Sequence, residues 1–235
     1  MLGLGNSISA NQYSGGWTPT SLGSKLAHWY KFNTGITTVT ASSVAGQVSQ
    51  WADQHGSNNL APTATDNKDV MPRLIDGAVA FNATGDSLEF GSDLSFGKFS
   101  IYMKVNWKED STIATTEDLF EHASSGDFIK LAGPTAARIK ISSRHDFTIN
   151  EMVEGTPFVL GYERNGDGDM MVYKDNVAGS AADGDSLNVA ISTTIDLDRL
   201  GKPTNDSYWY EIVICDDIIT SDERNELFTY LSNVG

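Results

Sequence analysis

Glu117-Asp-Leu-Phe-Glu121 is the segment whose carboxylates come nearest to a catalytic pattern. Glycoside hydrolysis needs two carboxyl groups held about 5–10 Å apart across a sugar. On a strand, positions 117, 119 and 121 would share a face. The middle position is Leu119, so the alternating acid pattern is broken. Leu119 and Phe120 instead read as the start of a core strand with Glu121 at its edge. Other catalytic chemistries fare no better. There is no Gly-x-Ser-x-Gly elbow for a serine nucleophile. His28, His55, His122 and His145 lie far apart and lack the His-Glu-x-x-His spacing of a zinc site. The single cysteine, Cys215, falls in the apolar run 212–215 and reads as a small buried hydrophobe. No glycine-rich loop that could cradle phosphate precedes a helix. The expectation is a chain without catalysis and without a cofactor.

Two binding chemistries remain. Asn165, Asp167 and Asp169 alternate as the first three ligands of a calcium loop do. Met170 stands where that loop requires Gly, and Asn176 where it requires Glu. Asp183-Gly-Asp185 is a second acidic turn that could approach the first. Runs of Gly and Asp are also what solvated hairpin turns are made of, and no metal is expected. Sugar binding would use aromatic platforms, for which Trp17, Trp29, Trp51, Tyr102 and Tyr208 are the candidates by type.

These residues need elements to position them, and the sequence supplies mostly strands. Residues 99–107 alternate strictly, with Phe99, Ile101, Met103, Val105 and Trp107 on one face. Ser100, Tyr102, Lys104 and Asn106 fall on the other, which predicts a half-buried strand with Tyr102 exposed. Residues 207–215 repeat the pattern, placing Tyr208, Tyr210, Ile212 and Ile214 opposite Trp209, Glu211, Val213 and Cys215. Shorter runs occur at 26–31, 79–81, 88–90, 128–131, 138–141, 158–162, 170–174, 177–179, 187–191 and 195–200. Roughly a dozen short strands at this spacing predict an antiparallel sandwich or barrel. One helix is expected, because Thr220-Ser-Asp-Glu223 forms a capping box and Leu227, Phe228 and Leu231 follow at helical spacing.

The chain has 235 residues, enough for a single all-β domain with a large core. Sixteen basic against 31 acidic side chains give a net charge of −15. Such a chain repels phosphates on average, and no cluster of Lys and Arg offers a local exception, so nucleic acid is excluded as a partner. No apolar run approaches the length of a transmembrane helix. The first residues, Met1-Leu-Gly-Leu-Gly-Asn-Ser-Ile-Ser, lack the basic and apolar regions of a signal peptide.

Several segments, taken in order, carry a resemblance. Leu26-Ala-His-Trp-Tyr-Lys is followed by Gly46-Gln-Val-Ser-Gln-Trp-Ala-Asp-Gln-His-Gly-Ser-Asn-Asn59. Met71-Pro-Arg-Leu precedes Ala80-Phe-Asn-Ala-Thr-Gly-Asp-Ser-Leu88, and 157–176 and 209–224 complete the series. Over residues 22–232 the chain resembles the concanavalin A-like lectin/glucanase superfamily, and within it the laminin-G-like domains. The resemblance implies an all-β antiparallel jelly-roll sandwich. Met1-Leu-Gly-Leu-Gly-Asn is similar to the starts of structural proteins of tailed phages.

Together these readings give two parts, an extended N-terminal arm over 1–20 and a jelly-roll domain over 21–235. The expected role is a non-catalytic structural or adhesive protein of a phage virion, located on the particle. It would dock on capsid, tail or fibre subunits through Leu2, Leu4, Ile8 and Trp17. The alternative is a lectin module that recognises a host surface glycan, with a glycoside hydrolase third.

Overall fold

The computed structural model describes residues 16–40, 45–63, 71–82, 85–108, 113, 117–182, 187–201 and 205–235. Pro19–Lys25 form a 3-10 helix that opens with proline and buries Leu22. Six strands follow: β1 (Leu26–Tyr30), β2 (Ile36–Thr38), β3 (Val48–Trp51), β4 (Leu60–Ala61), β5 (Arg73–Ile75) and β6 (Ala78–Phe81). The middle of the chain forms β7 (Leu88–Phe96), β8 (Phe99–Trp107), β9 (Glu117–Glu121), β10 (Phe128–Leu131), β11 (Ala136–Ile141) and β12 (Ser143–Thr148). The last six are β13 (Phe158–Arg164), β14 (Met170–Lys174), β15 (Val177–Ala178), β16 (Ser180–Ala181), β17 (Ile195–Leu200) and β18 (Ser207–Cys215), before helix α1 (Ser221–Ser232). Residues 1–15, with Leu2, Leu4 and Ile8, lie outside the described residues, as do Asp183 and Asp185. The expected arm boundary at residue 20 falls inside the 3-10 helix.

The strands form the expected antiparallel sandwich. One sheet has eight strands in the order β15-β14-β13-β8-β18-β6-β5, with β1 also paired to β18. The other has ten, in the order β16-β12-β11-β10-β9-β17-β7-β4-β3-β2. Between them lies one large apolar cluster that buries Trp51, Trp107, Trp209, Phe99, Phe120 and Leu197 completely. A second cluster lies behind the eight-stranded sheet, where Leu227, Phe228 and Leu231 of α1 pack on Tyr102, Val159, Val213 and Cys215. The chain is therefore three layers deep: helix, eight-stranded sheet, ten-stranded sheet.

The helix begins where the capping box put it. The Thr220 hydroxyl accepts from the Glu223 amide at 3.2 Å, and the Glu223 carboxylate accepts from the Thr220 amide at 2.6 Å. Lys25 adds an ion pair to Glu223 at 2.6 Å, which fastens the helix start to the end of the 3-10 helix.

Three local expectations are corrected. The strand 99–107 is not half-buried: all nine residues of β8 are buried, because α1 covers its second face. Tyr102 thus lies under the helix, its ring perpendicular to Phe228 at 5.3 Å. It fits because its cross-strand neighbour is Gly161, where a Cβ would come within 2.3 Å of the tyrosine ring. In β18 the alternation breaks at a bulge between Trp209 and Glu211, which stand two residues apart but pair with the adjacent Val105 and Lys104. The bulge turns Trp209 to the same core face as Ile212 and Ile214, leaving Glu211, Val213 and Cys215 toward the helix side. Finally, 187–191 makes only an isolated bridge, Asn188 to Asp169. Its backbone carbonyls serve another partner, the fully buried Arg164. That guanidinium donates to the carbonyls of Val189, Ala190 and Thr193 at 2.6–2.7 Å.

Candidate functional site

β10 and β11 alternate residue by residue. Ile129, Leu131, Ala137, Ile139 and Ile141 enter the core, so Phe128, Lys130, Arg138 and Lys140 must point outward. Cross-strand register then lines the outer side chains into two rows. One row runs Glu89–Arg199–Glu121–Phe128–Lys140–Arg144 across β7, β17, β9, β10, β11 and β12. The second runs Asp118–Lys130–Arg138–Asp146 across β9 to β12. Among the described residues no helix or strand lies over this face, whereas α1 covers the outer face of the other sheet.

The rows are held by charge. Arg199 lies 2.7 Å from Asp198, 3.5 Å from Glu89 and 3.7 Å from Glu121. The Asp198 hydrogen bond, joined by those carboxylates, raises the Arg199 guanidinium further above its usual range. Arg138 grips Asp146 with two nitrogens, and this hydrogen bonding keeps the Asp146 carboxyl below its ordinary value. Lys130 is only loosely paired, 3.8 Å from Asp118, whose carboxyl burial pushes upward. At the centre sits the half-buried ring of Phe128, with the Lys130 ammonium 4.0 Å and the Lys140 ammonium 5.9 Å from its centroid. An apolar ring bordered by forked donors and carboxylate acceptors can seat a ring-shaped ligand and fix its hydroxyls.

The residues singled out by sequence fall elsewhere. Glu117 and Glu121 do not share a face. A bulge in β9 sets Leu119 and Phe120 together into the core, so Glu117 stands opposite core-facing Leu131 and Glu121 opposite outward Phe128. Glu117 is fully buried and accepts a hydrogen bond from Asn205 at 2.7 Å. Trp51 and Tyr102 are buried, and Trp29 is nearly so, donating to Glu211 at 2.6 Å. Tyr208 is half-buried on the helix side of β18, opposite Asn106. Trp17 packs on Tyr230 of its own chain at 6.0 Å and, with Val234 and Asn233, lines a groove of about 320 Å³. Cys215 is buried, and burial pushes its thiol up to about 12.

The acidic turn is internally satisfied. Asn165 Oδ1 accepts from the amides of Asp167 and Asp169, each at 2.9 Å, and Asp169 accepts from Asn188 at 2.7 Å. Among the described residues no group of three His, Cys, Asp or Glu could hold a metal ion, and no helix is long and apolar enough to cross a membrane. A cavity of about 250 Å³ beside this turn is lined by Glu163, Tyr173 and Arg224. Burial raises the Glu163 carboxyl, but its oxygens already face the Tyr102 hydroxyl and Arg224, which anchor the helix to the sheet.

Sequence reasoning missed Phe128, Lys130, Arg138, Lys140 and Arg199. A usable signal was present: Phe128 is an aromatic on the polar side of an alternating strand.

No family model matches the chain, and no curated protein sequence matches it. Solved structures do resemble it. Domain 4 of AbnA, a GH43 extracellular arabinanase from Geobacillus stearothermophilus in complex with arabinotriose, superposes with a TM-score of 0.61 at 17% identity. That match covers 86% of this chain and 98% of the arabinanase domain. A Trypanosoma rangeli sialidase in complex with sialic acid gives 0.58 at 11% identity, covering 87% of this chain and 32% of the sialidase. The botulinum neurotoxin serotype G binding domain gives 0.53 at 13% identity, covering 77% of this chain and 48% of that one. This chain thus spans about a third of the sialidase it matches. The shared feature is the fold, an antiparallel β-sandwich. These three structures lend no support to a virion role or to the laminin-G resemblance.

Proposed function

We propose that this chain is a glycan-binding domain that holds its ligand on the outer face of the ten-stranded sheet and does not cleave it. The observation that carries the reading is Phe128, an apolar ring at the middle of an uncovered, otherwise charged face. A sugar presents a C–H face that stacks on such a ring and hydroxyls that accept from Arg and Lys or donate to Asp and Glu. Arg199, Glu121, Lys130 and Asp118 stand in register around Phe128 for that purpose. The likeness to an arabinanase domain in complex with arabinotriose supports the reading at the level of fold. Binding without cleavage is supported by Glu117 and Glu121 facing opposite sides of their strand.

The virion reading has less behind it. Of its four docking residues, Leu2, Leu4 and Ile8 lie outside the described residues, and Trp17 packs on its own chain.

The test is a glycan array followed by titration calorimetry on the hits, with wild type and Phe128→Ala. Wild type should retain a defined set of glycans without releasing reducing ends. Phe128→Ala should bind them about tenfold more weakly, the order expected for one aromatic contact. An empty array, or full affinity in Phe128→Ala, would reject the site.

A further inference from the structure

The ten-stranded sheet gathers cations that are scattered along the sequence. Lys130, Arg138, Lys140 and Arg144 meet on the outer face of three consecutive strands, in a chain with a net charge of −15. The absence of any Lys and Arg cluster in the sequence therefore does not carry over to the surface. Lys130 stands directly opposite Arg138, and Lys140 directly opposite Arg144. Like charges in such pairs cost stability, so folding alone gives no reason for the arrangement.

Three carboxylates border the four cations: Asp146, Asp118 and, opposite Phe128, Glu121. Asp146 takes both Arg138 and Arg144, the latter at 3.1 Å, and Asp118 lies 3.8 Å from Lys130. Lys140 has no carboxylate partner among the described residues; its ammonium donates to the Gly126 carbonyl at 2.9 Å. Four cations against three carboxylates leave a small positive excess, and the Lys130 and Lys140 ammonium groups lie 4.0 and 5.9 Å from the centroid of the Phe128 ring. At physiological ionic strength the screening length is about 8 Å, so a ligand on Phe128 feels these ammonium groups more than the distant acidic surface.

We infer that the ligand of this face is an acidic polysaccharide, with a sugar ring seated on Phe128 and its anionic group held between Lys130 and Lys140. This rests on the glycan-binding reading and specifies its substrate class. Carboxylate and sulfate are the two sources of such charge, so two anionic polymers serve as probes.

The experiment measures retardation of wild type and Lys130→Gln/Lys140→Gln in gels containing polygalacturonate, dextran sulfate, neutral arabinan or double-stranded DNA, with thermal melts to verify folding. Wild type should be retarded by at least one of the two anionic polysaccharides, and the responsive one identifies the anion. The double variant, and 0.5 M NaCl, should each weaken that binding about tenfold or more. Lys130→Gln alone, which disturbs no backbone contact, should give a smaller loss in the same direction. Equal or stronger binding to arabinan, or full affinity in the lysine variants, overturns the inference while leaving glycan binding intact. Equal retardation by DNA overturns it in favour of unselective polyanion attraction. Binding to no polysaccharide at all defeats both readings.

Discussion

Replacing Asp53 by Asn should destabilise the sandwich by an amount that the carboxylate's surroundings set. Asp53 closes the loop after β3. It accepts hydrogen bonds from His28 Nδ1 at 2.8 Å, from the amides of Trp29 and His55 at 3.0 and 3.1 Å, and from the amide of Asn58 at 3.3 Å. Burial alone would raise this carboxyl, yet these donors outweigh it and hold it at about 2 against an ordinary 3.8. A shift of that size corresponds to roughly 2.4 kcal/mol at about 1.36 kcal/mol per unit. The carboxylate itself is buried, but Gln54, His55 and Gly56 beside it are exposed, and solvent screening there brings the expectation down to about 1.5–2 kcal/mol. In a domain of this size that lowers the melting temperature by about 3–8 °C. The pH dependence fixes the cause. Because the folded value lies below the unfolded one, the contribution is complete above about pH 5 and disappears as pH falls toward 2. By linkage about half of it remains at pH 3. Urea denaturation of wild type and Asp53→Asn at pH 7, 5 and 3 measures the gap directly. A gap under about 0.5 kcal/mol at pH 7, or one of unchanged size at pH 3, refutes the reasoning.

Two further substitutions test the layers on either side of the eight-stranded sheet. Burial holds the Glu211 carboxyl above its ordinary range, although Tyr230, Trp29 and the Phe32 amide donate to it. The folded state therefore keeps the proton longer than the unfolded chain does, and stability from this group falls as pH rises above about 4.5. Glu211→Gln should flatten the decline that begins above about pH 4.5 in urea denaturation; an unaltered slope counts against it. Arg164→Met should cost about 1–3 kcal/mol, since the carbonyls of Val189, Ala190 and Thr193 lose the donor they share. Limited proteolysis should then cut within 187–193, and resistance equal to wild type would show that Arg164 does not pin this segment.

Much of the fold was legible in the sequence. Strict alternation located β8, β10, β14 and β17, and the Thr220 capping box located α1, because these signals are local. β4, with only Leu60 and Ala61, is too short for any period to register, and its strand character comes from pairing with β7. The bulge in β18 was invisible because nothing in Tyr210-Glu211 distinguishes a two-residue step from regular alternation. Tyr102 was misjudged because the helix that covers it lies more than a hundred residues away. The segment 46–59 carried the superfamily resemblance, and its residues prove structural: Trp51 fills the core, and Asp53, Asn58 and Asn59 lock the loop. The candidate site was hidden for a different reason. Each strand contributes one or two outward side chains, and only register brings Glu89, Arg199, Phe128 and Lys140 into one row.

Trp17 and Tyr230 touch, so the described chain begins and finishes at one corner, behind the helix-covered sheet. A tag, a surface anchor or a second module attached after Gly235 would leave from that rear corner, with two layers of strands separating it from the charged front. Tethered in this way to a bead or sensor chip, every molecule would turn its Phe128 side to the bulk solution.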